Sequence, residues 1–289
     1  STSYPGTLRD IIIPIVDSLK PKDSVNIYFA SAPERVNPGD PIWNQRNTPR
    51  LVGGIDDASR AKALAFYESI CDVVVSVSSP EVAEAAELLE NTYRLVNIAL
   101  VNEFTQLCSV SGISVNEVID AATSKPYGFM SFRPGVGVGG HCIPVDPLYL
   151  QKNAIDNGLI SRYIKLSEEL NHEMPKYCIE GLEALYGKLN SKHVLVVGVS
   201  YKPDISDTRE SPAEFVIREL EKKGSKVSWH DPLVESFNGQ SAASIAGDYD
   251  LALVLAKHQV LDMSSWSKKP IYCINSTASE PEWIPILGS

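Results

Sequence analysis

Residues 193–232 read H-V-L-V-V-G-V-S-Y-K-P-D-I-S-D-T-R-E-S-P-A-E-F-V-I-R-E-L-E-K-K-G-S-K-V-S-W-H-D-P, and this stretch decides the fold. His193–Val199 is a short apolar run rich in β-branched residues, which predicts a strand buried on both faces. Ser211–Lys223 predicts a helix stopped by Gly224 at the position where helices turn left-handed. Lys226–His230 predicts a second strand, ending at Asp231–Pro232. Strand, helix and strand in that order make a βαβ unit, and Tyr249–Ala256 and Pro270–Asn275 add two more strands. The last hundred or so residues therefore predict a doubly wound α/β domain. Gly198 closes the first strand, yet no G-x-G-x-x-G follows it. Lys202 is a candidate phosphate holder, but the loop is not a standard dinucleotide site.

Moving towards the N-terminus, the pattern becomes helical. Pro80 suits a first helical turn, and Val82, Ala85, Ala86, Leu89, Tyr93, Val96, Ala99, Leu100, Phe104 and Leu107 continue one stripe to about Val110. That is long for a globular helix. Val115–Ala122 predicts a shorter helix after Ser114, and Ser161–Leu189 another long one, kinked at Pro175. Before this lie a helix over Thr7–Leu19 with Thr7 as N-cap, strands at Val25–Ala30, Arg50–Gly53 and Asp72–Val77, and a helix over Asp57–Ser69. That last helix is expected to turn Ala61, Ala63, Leu64 and Ile70 inward. Three domains are expected: 1–78, the later part of an α/β domain; 79–190, all helical; and 191–289, the doubly wound unit.

Composition narrows the function. The chain has 289 residues, 44% hydrophobic and 21% charged, with a net charge of −10, so it can bury a sizeable core. The acidic balance argues against general nucleic-acid binding. Five cysteines, odd in number and without a C-x-x-C pair, indicate neither a disulfide framework nor a zinc site, and suit a reducing cytoplasm. No metal is expected. No apolar run approaches the ~20 residues of a membrane span.

The chemistry is concentrated in G-V-G-V-G-G-H-C-I-P-V-D-P, Gly135 to Pro147. Gly135, Gly137, Gly139 and Gly140 allow backbone to approach a ligand closely and offer bare N–H groups. Cys142 at the mouth of that loop is a candidate nucleophile, and Asp146, if it begins a helix, lies near that thiol and is a candidate to hold a water or an oxygen substituent.

This order of residues, together with S-T-S-Y-P-G-T at the start and E-N-T-Y-R around Asn91, closely resembles the nucleotide-sugar 6-dehydrogenases of the UDP-glucose/GDP-mannose dehydrogenase family. H-C-I-P-V-D-P is similar to the branch that oxidises UDP-N-acetylmannosamine and related UDP-N-acetylhexosamines. The resemblance implies a Rossmann-like first domain, a central all-α dimerisation domain whose long helix forms a homodimer interface, and a Rossmann-like UDP-sugar domain. It implies NAD as cofactor and a four-electron oxidation of the sugar C6 alcohol to a uronate in surface-polysaccharide precursor synthesis. In such a reaction a thiol adds to the intermediate aldehyde, the thiohemiacetal loses a second hydride, and the thioester is hydrolysed. No nucleic-acid or membrane partner is implied.

By the same resemblance Cys142 is the nucleophile, Thr2 and Asp146 position the water, Glu34 is the carboxylate of base work or thioester hydrolysis, and Asn91 holds the oxyanion. Substrate contacts fall on Glu34 to Pro38, including Arg35, Val36 and Asn37, on Glu87, on Arg133, Gly135, Gly137 and Gly139, and on Tyr201 and Lys202. Thr2, Cys142 and Arg209 are cofactor contacts. The sequence reads as the later two thirds of the family pattern, with the G-x-G-x-x-G fingerprint missing, so a truncated, processed or divergent chain is expected. It departs from the family twice more. Glu87 stands four residues before Asn91, where the family has lysine, and no arginine follows the last strand in Ile274–Ala278. The alternative expectation is therefore a relative that binds a UDP-sugar or a partner subunit without transferring hydride.

Overall fold

The computed structural model describes residues 2–20, 26–267, 269–275, 280 and 282–287. In chain order it contains a π-helical turn (Leu8–Ile12) running into α1 (Ile13–Leu19), then β1 (Ala30–Ser31), β2 (Arg50–Gly54), α2 (Asp57–Glu68), β3 (Val74–Ser76), α3 (Pro80–Ser111), α4 (Val115–Thr123) and α5 (Asp146–Asp156). There follow α6 (Arg162–Tyr186), β4 (His193–Val197), α7 (Ala213–Lys222), β5 (Lys226–His230), β6 (Ser236–Phe237), β7 (Gln240–Ser241), β8 (Leu251–Val254), β9 (Ile271–Asn275) and β10 (Ile284–Leu287). The chain is mixed α/β and divides into two compact units, residues 1–93 with 145–161, and residues 94–144 with 162–289.

The first unit holds a three-stranded sheet in the order β1-β2-β3. Strand β1 is antiparallel to β2, and β2 is parallel to β3. All five residues of β2 are buried. Helix α2 starts at Asp56, whose carboxylate accepts the Ser59 N–H at 2.7 Å, an N-cap of the usual kind. It lies so close to β2 that a Cβ on Gly54 would sit 2.3 Å from the Arg60 nitrogen. That approach presents Ser59 to the sheet and leaves Ala61 and Ile70 exposed, correcting the inward face expected for α2. The expected strand at Val25–Ala30 shrinks to Ala30–Ser31, with Val25 outside the described residues.

Thr7 does not cap the first helix either. Its hydroxyl bonds the Tyr4 carbonyl at 2.6 Å, and the free N–H groups of Gly6 and Leu8 go instead to Glu84 of α3, at 2.9 and 3.2 Å. A buried carboxylate is a stronger acceptor than a local hydroxyl, and it stabilises the helix start. None of the apolar stripe on this helix is buried.

The second unit is built on a parallel sheet of order β10-β9-β8-β4-β5. Its central strands β4, β8 and β9 are apolar on both sides, as a covered sheet requires. Val194 and Val196, Leu251 and Leu253, and Tyr272 and Ile274 face one core with Met174, Ile179 and Leu182 of α6 and Val216 and Leu220 of α7. Leu195, Val197, Ala252, Val254 and Cys273 face the other, closed by Ile245, Tyr249, Trp266 and Trp283. Helix α6 runs on through Pro175. Helix α7 ends as expected, with Gly224 at φ +82°. From β4 the chain steps to β5 on one side and later to β8 on the other, so the carboxyl ends of β4 and β8 form a switch point, where such sheets bind ligands.

Candidate active site

In the second unit, the glycine loop is pinned from below and from the side. The Gly135 N–H donates to Asn102 Oδ1 at 2.9 Å, and Asn102 donates to Asn171 Oδ1 at 2.9 Å. Both asparagines are buried. Gly137 has φ +121°, and a Cβ there would meet the Asn171 carbonyl at 2.8 Å. At Gly139 a Cβ would lie 2.7 Å from Tyr201 Cβ and 2.8 Å from the Glu210 carbonyl. The Gly140 N–H donates to the Arg209 carbonyl at 3.0 Å. Glycine is needed because the backbone packs against its neighbours at contact distance.

Cys142 follows this cradle and is exposed, unlike Cys71, Cys108, Cys178 and Cys273. Burial pushes the Cys178 thiol up to about 12 and that of Cys273 to about 11. Tyr201 is raised by burial and by the charges of Asp207 and Cys142, so it lies within electrostatic reach of the Cys142 sulfur. Arg209, tied to Asp207 through Nε and Nη2 at 3.0 and 2.6 Å, also senses that sulfur.

Beside the loop, at the switch point, is a cavity of about 270 Å³ lined by Pro134–Gly137, Tyr201, Lys257, Asn275 and Trp283. Asn275 donates to the Pro134 carbonyl, while its Oδ1 is buried without a partner. Lys257 bonds Glu280 at 2.7 Å and stands 5.5 Å from the Trp283 ring centroid. An indole face, an ammonium and an unused amide acceptor suit a planar ring with a phosphate tail.

The loop bearing Tyr201 and Lys202 is held by a cluster that sequence reasoning missed. Asp231, just after β5, accepts through Oδ2 from Val199 N (2.8 Å), Ser200 N (3.2 Å) and His258 Nε2 (3.0 Å), and through Oδ1 from Leu233 N (2.9 Å). His258 Nδ1 accepts the Asp204 N–H at 2.9 Å, so the ring hydrogen is on Nε2. Ser200 Oγ lies 3.2 Å from that same Nε2. A hydrolytic triad needs its acid and its hydroxyl on opposite ring nitrogens. This cluster positions the loop. Asp231–Pro232 after a strand was its one visible signal.

In the first unit, the other predicted side chains gather on α3. Thr2 Oγ1 donates to Glu87 Oε1 at 3.0 Å, and Asn91 Nδ2, one turn on, donates to Asp146 Oδ2 at 2.7 Å. Asp146 is the first residue of α5, the condition on which it was a candidate; the rest of that helix was not expected. Burial pushes its carboxyl up to about 6, against the opposing Asn91 bond. Burial also raises Glu87, opposed by Thr2 and reinforced by the Asp146 charge. Arg35 joins the same helix through a forked pair with Glu90 at 2.6 and 3.1 Å. Glu34 is exposed and accepts from Arg50 Nη2 (2.9 Å) and from the N–H groups of Arg35 and Val36. Asn37 is exposed and bonds Asp40. In the second unit Arg133 pairs with Asp120 and bonds Asn116, both on α4.

The UDP-glucose/GDP-mannose dehydrogenase family is matched by three models: its NAD binding domain over residues 1–71, its central domain over 81–173 and its UDP binding domain over 195–272. This chain belongs to that family. It is 35% identical over 260 residues to UDP-N-acetyl-D-mannosamine dehydrogenase of Methanocaldococcus jannaschii, covering 89% of this chain and 58% of that protein. It is 33% identical over 276 residues to UDP-N-acetyl-D-glucosamine 6-dehydrogenase of Salmonella typhi, covering 90% and 64%. The solved UDP-D-ManNAc dehydrogenase of Pyrococcus horikoshii superimposes with a TM-score of 0.80 at 29% identity, covering 94% of this chain and 67% of that one. The chain thus spans about three fifths of the length of the relatives it matches.

Among the described residues no helix is long and apolar enough to cross a membrane.

Proposed function

We propose that this chain carries the sugar-nucleotide and thiol machinery of an NAD-dependent dehydrogenase. Its reaction is oxidation of the C6 alcohol of a UDP-N-acetylhexosamine, of the UDP-N-acetylmannosamine type, to the uronate. The observation that carries this reading is the exposed Cys142 on a glycine cradle that also walls the switch-point cavity with its unused Asn275 acceptor. The domain division 1–78, 79–190 and 191–289 is part of the reading, with the last holding UDP.

Parallel strands β2 and β3 with α2 fit the later half of a dinucleotide domain, and Thr2, Cys142 and Arg209 are the side chains assigned towards NAD. No G-x-G-x-x-G occurs within residues 1–78; the match in the sequence, Gly135–Gly140, leads into Cys142 and does not join a strand to a helix. NAD, when bound, takes up the hydrides. The chain's own part is to anchor the nucleotide at Gly135–Gly137, Tyr201 and Lys257, and to bond the Cys142 sulfur to the aldehyde carbon. Thr2 and Asp146 position the water that later releases the thioester, and Asn91 holds the oxyanion.

The oligomer is assigned as a homodimer through α3. Leu100 and Leu107 are each 59% exposed and Val110 is 91% exposed. Leu100 also lines a groove of about 280 Å³ whose wall is almost wholly carbon, from Leu100, Phe104, Ile119, Phe129, Met130 and Phe132. Five free cysteines accord with the cytoplasm.

A second reading, UDP-sugar binding without hydride transfer, is favoured by Glu87, a carboxylate where the family places a cation. Calorimetry with UDP-N-acetylmannosamine and NAD, together with NADH formation at 340 nm, tests both. Sugar-nucleotide binding that survives Cys142→Ser, with NADH formed only by the parent chain, is the expected result. Binding without NADH favours the second reading, and no sugar-nucleotide binding contradicts both.

A further inference from the structure

The α3 cluster contains more acid than its bonds can use. Glu87 is 4% exposed and Asp146 1% exposed, and each has one buried oxygen, Glu87 Oε2 and Asp146 Oδ1, with no hydrogen-bond partner. Their second oxygens are taken by Thr2 and Asn91. Glu87 and Asn91 are one turn apart on α3 and so share a face, which brings the Asp146 carboxyl, bonded to Asn91, alongside Glu87. Two ionised carboxylates in such a place repel each other and leave two buried acceptors unsatisfied. A single proton removes the repulsion and converts one orphan oxygen into a donor.

The other acids around the pair are already committed. Glu84, one turn before Glu87, accepts Gly6 N and Leu8 N, and Glu81 is paired with Arg9 at 2.7 Å. Glu90 is held by Arg35 at 2.6 Å, and its charge adds to the repulsion felt by Glu87. From the N-terminal segment the neutral Thr2 hydroxyl bonds Glu87, and the positive charge of the chain's amino terminus also acts on it, opposing the rise that burial and Asp146 cause.

We propose that Glu87 and Asp146 hold one proton between them in mildly acidic solution, and that the resulting carboxyl O–H is the donor this cluster offers to an oxygen of the bound sugar. The donor role rests on the function proposed above; the shared proton does not. A neutral acid then does part of the work that the family gives to an ammonium, since a protonated carboxyl donates where an ionised one repels.

The experiment is a ¹³C-carboxyl NMR titration of the Asp- and Glu-labelled chain from pH 4 to 9, without ligand, in the parent, Glu87→Gln and Asp146→Asn. Coupled behaviour is expected: the Glu87 and Asp146 signals move in the same two steps, and Asp146→Asn lowers the Glu87 midpoint by about one unit or more. Independent midpoints for the two groups in the parent chain, both in the ordinary carboxylate range, would overturn the shared proton without any variant needing to fold.

Calorimetry with UDP-N-acetylmannosamine tests the donor. Affinity is expected to fall about tenfold as the pair loses its proton, and to be flat with pH in Glu87→Gln, whose amide always donates. Flat affinity in the parent overturns the donor role and leaves the sugar-nucleotide reading standing. Absence of binding at any pH overturns that reading and the donor role together, while the NMR result still decides the shared proton.

Discussion

Asp146 and Asp231 are both buried carboxylates at the edge of a structural element, and they have opposite fates. Asp146, 1% exposed, receives one hydrogen bond and is driven up to about 6 by burial. Asp231, 3% exposed, is also pushed up by burial, but bonds from His258, Leu233 and Ser200 outweigh that effect and hold it below the ordinary range. Desolvation is similar in the two places, so the number of donors decides the sign. A carboxylate that positions a loop is fully satisfied, whereas one left with an idle oxygen can still bind a proton, a water or a substrate. Asn275 belongs with Asp146 in this respect, because its Oδ1 is buried and idle while the residue lines the cavity.

Removing a donor from the satisfied acid is expected to have the largest effect. His258→Ala leaves Asp231 buried with one fewer partner and frees the Asp204 N–H, and should cost about 3 kcal/mol of unfolding free energy in urea. His258→Gln, which can still donate to Asp231, should recover part of that loss. Equal losses in the two variants would mean that the imidazole acts by packing alone.

A smaller effect of opposite sign is expected at the unsatisfied acid. The raised Asp146 pKa means that the folded state binds the proton more tightly than the unfolded chain. Stability is therefore greatest below pH 4 and is lost as pH rises towards about 6. Asp146→Asn keeps the Asn91 bond and removes that loss. It should be about 2 kcal/mol more stable than the parent at pH 7 and nearly equal at pH 4, as followed by circular dichroism in urea. A variant less stable at pH 7 would show that the Asp146 charge is paired after all.

Much of the second unit was legible because its strands are apolar on both faces, a pattern that Val194–Val197 and Leu251–Val254 repeat without interruption. Helix α5 carried a local signal that went unused, the proline that follows Asp146 in its first turn. The hairpin β6–β7 was not, because strands of two residues carry no period. Nor was the His258 cluster, whose members come from the ends of three different strands and meet only once the sheet order is known. Thr7 misled for a related reason: local capping chemistry lost to Glu84, far along the chain.

The most direct test is amide and side-chain NMR mapping of the chain titrated with UDP-N-acetylmannosamine. Shifts should concentrate at Val136, Gly137, Tyr201, Lys257 and the Asn275 side-chain amide, and leave the Glu214–Arg218 face of α7 unmoved. Saturating binding that shifts none of those five would contradict the assignment of the switch-point cavity to the nucleotide.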